Sequence, residues 1–467
     1  MTLPWRGTTP EIASEDDSRY ETPGGAQNKV DVSQEYLLHL LKLAVTGLSD
    51  GSEAATARYS TPYDITYDWL KDRLDAADQR QKRLGFNVKD YGAKGDNTTN
   101  DTSSIQSCIN AANANGGGLV VLPDGNYKIT SELILYPNIT LQGFGESSAL
   151  YPYTTNQNVF KLENSTNTYV NVLIKDIKIR SIANGTTGFK FKKSSMIRFQ
   201  NIHTAGTEKV FHIDGGENIQ ISDVFVEGAP ENLLAAGRSI FESSDKNAYI
   251  AGIDVNNYQI RNIGNGVFSP ALGFNRALNT FVSGFHTNDL TYGSVSADGI
   301  EFTGDCQGCK VTKSLIIKPK EFGIRIGEEM IGELVSTGGA FTITDVDIDQ
   351  PVQYGMLLDR GSWISVTGGI LTSIGVHGIV IGAQNVSITG AKIITAGNQG
   401  IQVSPSVTNF TIMGNYIEGC SSAVLVPAGT SNHYIISNND VSINNSFKIV
   451  DNGTGTDKFI NNNLGVI

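Results

Sequence analysis

Short runs of alternating apolar and polar residues recur along the chain from Val88 onward. Copies at residues 218–224, 364–368 and 386–390 are typical, and the step between copies is mostly about 22 to 25 residues, one coil of a solenoid. Successive side chains of a strand point to opposite faces, so the apolar members can share one core. Because each coil is a parallel crossover, the expected hand is right. The pattern predicts an all-β, right-handed, single-stranded parallel β-helix.

A second strand type recurs in each coil, often directly after a glycine, as in residues 188–192, 299–303 and 323–327. Aligning its copies gives one central outward column, which reads Lys190, His212, Glu301, Arg325, Leu357, Val380, Gln402 and Leu425. The column is charged in the middle coils and mostly apolar near the C-terminus. We expect the charged part to form a groove for a polar ligand and the apolar part to form a subunit interface.

Helical periodicity is confined to the N-terminal part of the chain. One apolar stripe runs along residues 33–45 and another along residues 64–83, each wide enough for one buried helix face. Residues 1–86 are therefore predicted to be an attachment and oligomerisation region with two short helices, a partly helical flexible linker being the alternative. A third helix at about residues 101–115 is predicted to cap a β-helix spanning residues 87–467, covering backbone that would otherwise be unpaired.

Composition narrows the range of functions. Only 18% of residues are charged, the net charge is −12, and no basic run occurs, so nucleic-acid binding is not expected. No apolar run reaches the ~20 residues of a membrane span, so membrane insertion is not expected either. The first residues lack the apolar core of a signal peptide, which predicts assembly in the host cytoplasm. An acidic mean charge also disfavours simple electrostatic attraction to anionic polymers, although a local patch can differ.

The charged middle coils hold the candidate catalytic residues. In the aligned register Glu301 stacks on Arg325, and the turns place Asp305 beside Glu329. A close pair of carboxylates raises one pKa and supplies an acid and a base together. A separation of about 5 Å would suit a retaining glycosidase and a wider one an inverting glycosidase. The predicted catalytic residues are Asp298, Glu301, Asp305 and Glu329, and the predicted substrate-binding residues are Arg325, Glu328, His212 and Lys190. The alternative is a set of solvated turn acids with a surface ion pair.

Metal and cofactor chemistry has little support in the sequence. Asp345, Asp347 and Asp349 alternate on one strand and could offer oxygen ligands to Ca²⁺, but a solvated strand face is the favoured interpretation. The Cys306–Cys309 pair lacks a second cysteine pair and is interpreted as a structural loop. No metal site and no cofactor are therefore predicted.

Two segments resemble known families. Residues 88–145, with Val88-Lys89-Asp90-Tyr91-Gly92 and the later run Ile139-Thr140-Leu141-Gln142-Gly143, resemble the N-terminal signature of the pectate-lyase-3-type β-helix family, which includes polygalacturonases, sugar epimerases and phage tailspikes. This signature marks fold and not chemistry. Residues 53–59 and 69–75 are similar to segments that precede the spike domain in tail and appendage proteins of phages of Gram-positive bacteria.

The second resemblance implies a function. It implies a homotrimeric receptor-binding spike of the virion, attached to the phage particle through its N-terminal region, that binds a bacterial surface polysaccharide and cleaves it by hydrolysis or β-elimination. The alternatives are a non-catalytic carbohydrate-binding spike and a free bacterial polysaccharide-active enzyme, since residues 301–306 also resemble fructan-active transferases. The Asn-Thr-Asp and Gly-His-Gly motifs of polygalacturonases are absent, and the Lys/Arg-plus-Ca²⁺ arrangement of pectate lyases is not identifiable.

Overall fold

The computed structural model describes residues 59–60, 65–66, 85–228, 238–245, 248–261, 270–288, 290, 298–328, 339–429, 433–443 and 445–465. The chain divides into two compact units, Met1–Leu84 and Gly85–Ile467. In the first unit, β1 (Tyr59–Ser60) pairs antiparallel with β2 (Ile65–Thr66). The predicted helix at 33–45 lies outside the described residues. So does the predicted helix at 64–83, apart from Ile65–Thr66, which form β2.

The second unit is built almost entirely of strands. Among its described residues the one α-helix is α1 (Thr102–Ala114), and two 3₁₀ turns cover Val88–Tyr91 and Gly145–Ser147. Among the described residues the strands are β3 (Phe86–Asn87), β4 (Asp96–Asn100), β5 (Gly118–Val121), β6 (Gly125–Ile129), β7 (Leu133–Ile134), β8 (Ile139–Gln142), β9 (Ser148–Pro152), β10 (Asn158–Arg180), β11 (Thr187–Ala205), β12 (Lys209–Asp214), β13 (Gly216–Glu227), β14 (Arg238–Glu242), β15 (Ile250–Arg261), β16 (Pro270–Asn275), β17 (Ala277–Leu278), β18 (Phe281–Thr287) and β19 (Asp298–Thr303).

The remaining strands follow at shorter and more regular intervals. They are β20 (Cys309–Ile317), β21 (Phe322–Glu328), β22 (Phe341–Asp349), β23 (Tyr354–Leu358), β24 (Ser362–Thr367), β25 (Ile370–Ile374), β26 (His377–Ile381), β27 (Gln384–Thr389), β28 (Lys392–Ala396), β29 (Gln399–Val403), β30 (Phe410–Met413), β31 (Tyr416–Glu418), β32 (Ser422–Val426), β33 (Tyr434–Ser437), β34 (Phe447–Asp451) and β35 (Lys458–Asn461).

These strands stack into three parallel sheets, which we call faces A, B and C. Face C contains β12, β14, β16, β19, β21, β23, β26, β29, β32 and β34; face A contains β24, β27, β30, β33 and β35; face B contains β25, β28 and β31. Longer strands such as β11 and β13 contribute to two or three faces. All pairing in this unit is parallel and the solenoid has about 13 turns. The predicted parallel β-helix with a short capping helix is confirmed.

The core is a column of stacked side chains. Phe189 stacks between Phe160 and Phe211, with ring centroids 5.5 and 5.3 Å apart. Phe274 stacks in the same way further along, between Phe241 and Phe302, at 5.2 and 5.1 Å. Each buried ring removes a large apolar area from water and gains from contact with its neighbours. The column fixes the register from coil to coil and so fixes which outward side chains become neighbours.

Helix α1 covers the N-terminal end of this core. Its apolar face is buried through Ile105, Cys108, Ile109 and Ala112, the i, i+3, i+4, i+7 spacing of an amphipathic helix. Asp101 occupies the N-cap position, but its carboxylate accepts hydrogen bonds from the backbone N–H groups of Lys94 (2.7 Å) and Gly95 (3.0 Å) instead. The buried acid therefore fastens the preceding loop to the start of the helix.

Faces A and B meet at a corner made by one left-handed residue. Asn201 (φ 51°), Asp223 (φ 56°) and Asp345 (φ 52°) occupy this corner. From Asp345 to Asp349 the strand keeps its alternation, with Val346 and Ile348 buried, so that Asp345, Asp347 and Asp349 all point outward as predicted. Across the described ranges, no group of three or more His, Cys, Asp or Glu side chains is placed to hold a metal ion. No helix within that part of the chain is long and apolar enough to cross a membrane.

Candidate functional site

The central outward column of face C contains the predicted charged residues. Glu301 and Arg325 are register partners on β19 and β21, with 3.7 Å between Glu301 Oε1 and Arg325 Nη1. The predicted stacking of these two residues is confirmed. Two further coils lie between His212 and Glu301, and they place Ile240 and Gly273 in the column. Sequence alignment missed these coils because insertions lengthen them beyond the usual repeat.

The other predicted substrate-binding residues of this column form ion pairs between coils. Lys190 Nζ lies 3.8 Å from Glu163 Oε1. His212 Nε2 lies 2.8 Å from Glu242 Oε1 on the next coil. Opposite charges on neighbouring strands stabilise a sheet, whereas like charges directly opposite each other destabilise it. Lys190 and His212 thus lie on the outward side of face C, and each pairs with an acidic side chain of a neighbouring coil. These pairs contribute to the stability of the stack.

Asp298 lies at the start of β19 and is only 7% exposed. Its Oδ1 accepts hydrogen bonds from the backbone N–H groups of Glu321 (2.7 Å) and Phe322 (3.4 Å) in the next coil. Burial raises the pKa of this carboxyl from 3.8 to about 6, and the two hydrogen bonds act in the opposite direction. Desolvation is the larger effect because the charged form loses water on almost every side. The carboxyl joins two coils and carries a proton for part of the time near neutral pH.

Asp305 lies at the corner that leads from face C to face A. Its Oδ2 accepts a hydrogen bond of 2.5 Å from the hydroxyl of Tyr249, and its Oδ1 accepts one of 3.1 Å from Gln307 Nε2. The guanidinium carbon of Arg276 lies 5.7 Å from the centroid of the Tyr249 ring. Tyr249, Arg276 and Asp305 come from three consecutive coils. We call Tyr249, Arg276, Asp305 and Gln307 the corner cluster.

The corner cluster holds a proton donor beside a carboxylate. The hydrogen bond to Asp305 raises the pKa of Tyr249, burial and the negative charge of Asp305 raise it further, and the positive charge of Arg276 opposes them. Tyr249 therefore keeps its phenolic proton at neutral pH. A tyrosine hydroxyl, a carboxylate and a guanidinium together can give a proton, take a proton and bind an anion.

Sequence reasoning found Asp305 but missed Tyr249 and Arg276. Both precede strands of the two lengthened coils, where the repeat could not be followed. Arg276 adopts a left-handed conformation (φ 53°) at a corner where asparagine and glycine are the usual residues. One sequence feature could have identified both residues: each lies directly before a strand, at the same corner as Asp305. The corner positions of these coils were not aligned with one another.

The two remaining predicted residues, Glu328 and Glu329, follow each other at the end of β21 in the sequence. Glu329 lies outside the described residues, and with it the predicted Asp305–Glu329 pair. Glu328 ends β21, where its backbone is the register partner of Thr303. The catalytic roles assigned to Asp298, Glu301, Asp305 and Glu329 stay predictions.

The adjacent cysteines fit the structural interpretation. Cys306 and Cys309 are buried free thiols directly after Asp305. Burial raises the pKa of Cys306 well above its usual range. A thiol that stays protonated is a poor nucleophile and a poor metal ligand, so Cys306 serves to pack the turn that carries Asp305.

Comparison with known proteins agrees with this architecture. A family model described as "Rhamnogalacturonase A/epimerase, pectate lyase-like" matches residues 85–305, and one described as "Right handed beta helix region" matches residues 298–464. The chain is a pectate lyase-like right-handed β-helix. Tailspike protein 3 of bacteriophage CBA120 is similar in fold, with a TM-score of 0.50, 13% identity, and coverage of 90% of this chain and 68% of the tailspike.

Two curated relatives come from Azotobacter vinelandii. Mannuronan C5-epimerase AlgE3 is 24% identical over 298 residues, which is 60% of this chain and 13% of the epimerase. Alginate lyase 7 is 44% identical over 69 residues, 13% of this chain and 8% of the lyase. The matched part of this chain thus spans only a small fraction of each relative.

Proposed function

We propose that this chain binds an acidic polysaccharide of a bacterial cell surface along face C and cleaves it by β-elimination at the corner cluster. The observation that carries the proposal is the 2.5 Å hydrogen bond from Tyr249 to Asp305 beside the guanidinium of Arg276. The relatives named for alginate and mannuronan support a substrate built of uronic acids.

In this reaction Arg276 pairs with the carboxylate of a uronate residue and so acidifies the neighbouring C5–H bond. Asp305 takes the C5 proton. As the C4=C5 double bond forms, the bond from C4 to the glycosidic oxygen breaks, and Tyr249 gives its proton to that leaving oxygen. The electron pair of the C–H bond ends in the new double bond, so no oxidant is needed. Each properly placed acid or base contributes typically ~10²–10⁴-fold in rate.

The charge of the chain constrains where the polymer can bind. A net charge of −12 repels a polyanion on average, so binding needs local cations. Arg276 and Arg325 supply them, two coils apart in the middle region. Asp298 and Glu301 lie on the strand between those two coils, and we retain them as additional acid–base candidates, with Lys190 and His212 further along the same face as contacts for the polymer.

The similarity of residues 53–59 and 69–75 to phage appendage segments supports the biological context that we propose. The chain would act as a receptor-binding spike of the virion, a homotrimer attached to the phage particle through residues 1–86. Negative-stain microscopy of phage particles labelled with an antibody to the β-helix tests this location. Light scattering of the full chain tests the trimer.

Cleavage is tested with purified full-length protein and three substrates: alginate, polygalacturonate and purified host capsule or wall polymers. Unsaturated uronates are followed by ultraviolet absorbance and new reducing ends by a colour assay. Tyr249→Phe and Asp305→Asn should lower the rate by about 10²-fold or more. Tyr416→Phe is the matched control, because Tyr416 also donates to a carboxylate, Glu418, but lies in a distant C-terminal coil.

The outcomes separate the alternatives. New reducing ends without ultraviolet absorbance would replace elimination by hydrolysis, with Glu301 or Asp298 as the partner of Asp305. An unchanged rate in both variants would remove the corner cluster from the mechanism. Binding without shortening of any polymer would favour the second candidate, a non-catalytic receptor spike. One observation favours that candidate. Lys190 and His212 are paired with acids of adjacent coils, and such pairs stabilise the stack without any catalytic role.

A further inference from the structure

A groove of about 670 Å³ runs along face A in the C-terminal coils, away from the corner cluster. Residues of β24, β27, β30, β33 and β35 and of the corners before them line it, so it crosses five consecutive coils. At about 4.8 Å per coil, its length is roughly 19 Å. We call it the distal groove. Its lining includes Trp363, Asn385, Asn409, His433, Ser387 and Phe459.

The lining forms two columns parallel to the axis of the solenoid. The register of the sheet aligns Trp363, Asn385, Asn409 and His433 at successive corners before face A. A second column on the strands presents hydroxyls first, from Ser387 and its neighbours, and then the apolar side chains of Ile435 and Phe459. An amide and a hydroxyl therefore repeat on the two coils of β27 and β30, and an aromatic ring lies at either end of the groove.

Trp363 is the unusual member of the corner column. Its φ is 58°, and its side chain is 69% exposed. Left-handed backbone is costly for a bulky residue, and Asn385 and Asn409, with φ of 55° and 57°, show the residue type that the corner normally takes. An exposed indole gains nothing from the core to offset this strain. Strain without a compensating packing gain is typical of a binding site.

We propose that the distal groove is a second polysaccharide-binding site, which holds a sugar chain parallel to the solenoid axis with one ring stacked on Trp363. Amides and hydroxyls spaced at the coil repeat suit the hydroxyls of successive sugars, and an indole face suits the apolar face of a pyranose ring. The charged groups of the groove have polar partners: His433 Nε2 lies 3.1 Å from Asp457 Oδ2, and Lys458 Nζ lies 2.6 Å from Asp451 Oδ2. The groove presents no unpaired cation among these groups and therefore favours uncharged sugars, in contrast to the corner cluster, where Arg276 is proposed to pair with a uronate.

The proposal goes beyond the proposed cleavage because no residue of the corner cluster takes part. It is tested by affinity electrophoresis of the full chain in native gels that contain dextran, hydroxyethyl cellulose or alginate. We expect at least one gel to retard the parent protein. Trp363→Ala should weaken the retardation about tenfold or more, as for a stacked tryptophan at the centre of a contact, and Trp363→Phe should retain part of it. Tyr169→Ala removes another exposed aromatic ring (67% exposed) far from the groove and should change nothing.

A spectroscopic measurement reports on the same side chain. The chain has three tryptophans, Trp5, Trp69 and Trp363, so Trp5→Phe/Trp69→Phe leaves Trp363 as the reporter. Oligosaccharides of the retarding polymer should shift and quench its fluorescence to saturation. Absence of retardation in all three gels, or equal retardation of Trp363→Ala and parent, would overturn the proposal. If Tyr249→Phe loses cleavage but is still retarded, the two sites act separately. If the parent and all variants lack cleavage while the groove still binds, only the proposed reaction is rejected.

Discussion

Replacement of Asp298 by asparagine separates structural anchoring from catalysis at this residue. The carboxyl is 7% exposed and burial raises its pKa from 3.8 to about 6. Between these two pH values the folded chain binds a proton that the unfolded chain has lost. The stability of the fold therefore falls as pH rises from about 4 to about 6, and the full penalty remains above pH 6.

The size of the penalty follows from the shift. A change from 3.8 to about 6 corresponds to at most about 3 kcal/mol at pH 7.5, at ~1.36 kcal/mol for each pH unit. An asparagine keeps the oxygen that accepts from Glu321 and Phe322 but cannot ionise. For a unit of about 380 residues, an unfolding entropy of ~2.1 cal/mol/K per residue converts this free energy to a Tm difference of roughly 4 °C.

The assay is the Tm of parent and Asp298→Asn at pH 4 and pH 7.5, with the scan rate held fixed. The variant should gain roughly 4 °C relative to the parent on going from pH 4 to pH 7.5. The free-energy cost of burying the amide is the same at both pH values, so it cancels when the Tm difference between variant and parent at pH 4 is subtracted from that at pH 7.5. Asp223→Asn, at an exposed corner, is the control and should show no such change. An equal difference between Asp298→Asn and parent at both pH values would refute the reasoning. Loss of cleavage in a variant stabilised in this way would support the predicted catalytic role.

Further predictions concern the core, a ladder of hydrogen-bonded asparagines formed by Asn415, Asn439 and Asn463, and the thiols. Phe274→Ala, which removes a ring stacked between two others, should cost roughly 3–5 kcal/mol in the free energy of unfolding, while Phe447→Ala, at 62% exposure, should stay within about 0.5 kcal/mol. Asn439→Ala should lower the free energy of unfolding by at least about 1–3 kcal/mol, because Asn439 is buried and hydrogen-bonded to both neighbouring coils at 2.9–3.0 Å. Asn461→Ala, at an exposed position, is its control. Equal Tm values for the two variants would show that the asparagine ladder does not stabilise the fold. The four buried cysteines should resist DTNB in the native protein and react on unfolding, and fast native reaction of Cys306 would contradict its burial.

The repeating coil of the β-helix is well predicted from the sequence, because the alternation of apolar and polar residues within each strand is a local pattern. Alternation within a strand reports which side chains face the core, and the capping helix is marked by its own apolar spacing and the glycines after Asn115. Face B was not distinguished as a separate sheet. Its strands follow those of face A after a single left-handed residue such as Asn201, so the two strands read as one run.

The site was harder to predict because it depends on side chains brought together from different coils. Asp305 was found through the glycine that precedes its strand. Its hydrogen-bond partner Tyr249 lies in an earlier coil, and the spacing between register partners widens there, from Lys190 and His212 to His212 and Ile240 and then to Ile240 and Gly273. A constant repeat length cannot align residues across insertions, so neither Tyr249 nor Arg276 could be assigned to the same corner without the three-dimensional register.

The charged column of face C is weak evidence for catalysis taken alone. In a parallel solenoid each outward side chain lies about 4.8 Å from its equivalents in the coils above and below. A charge at one coil therefore favours the opposite charge at the next, as in the pairs of His212 with Glu242 and of Arg325 with Glu301. Such pairs stabilise the stack whether or not a ligand binds. The corner cluster differs in kind, because a neutral tyrosine that donates to a carboxylate contributes no charge compensation to the stack. That difference makes Tyr249, and not the more conspicuous ion pairs, the residue whose replacement best tests for chemistry.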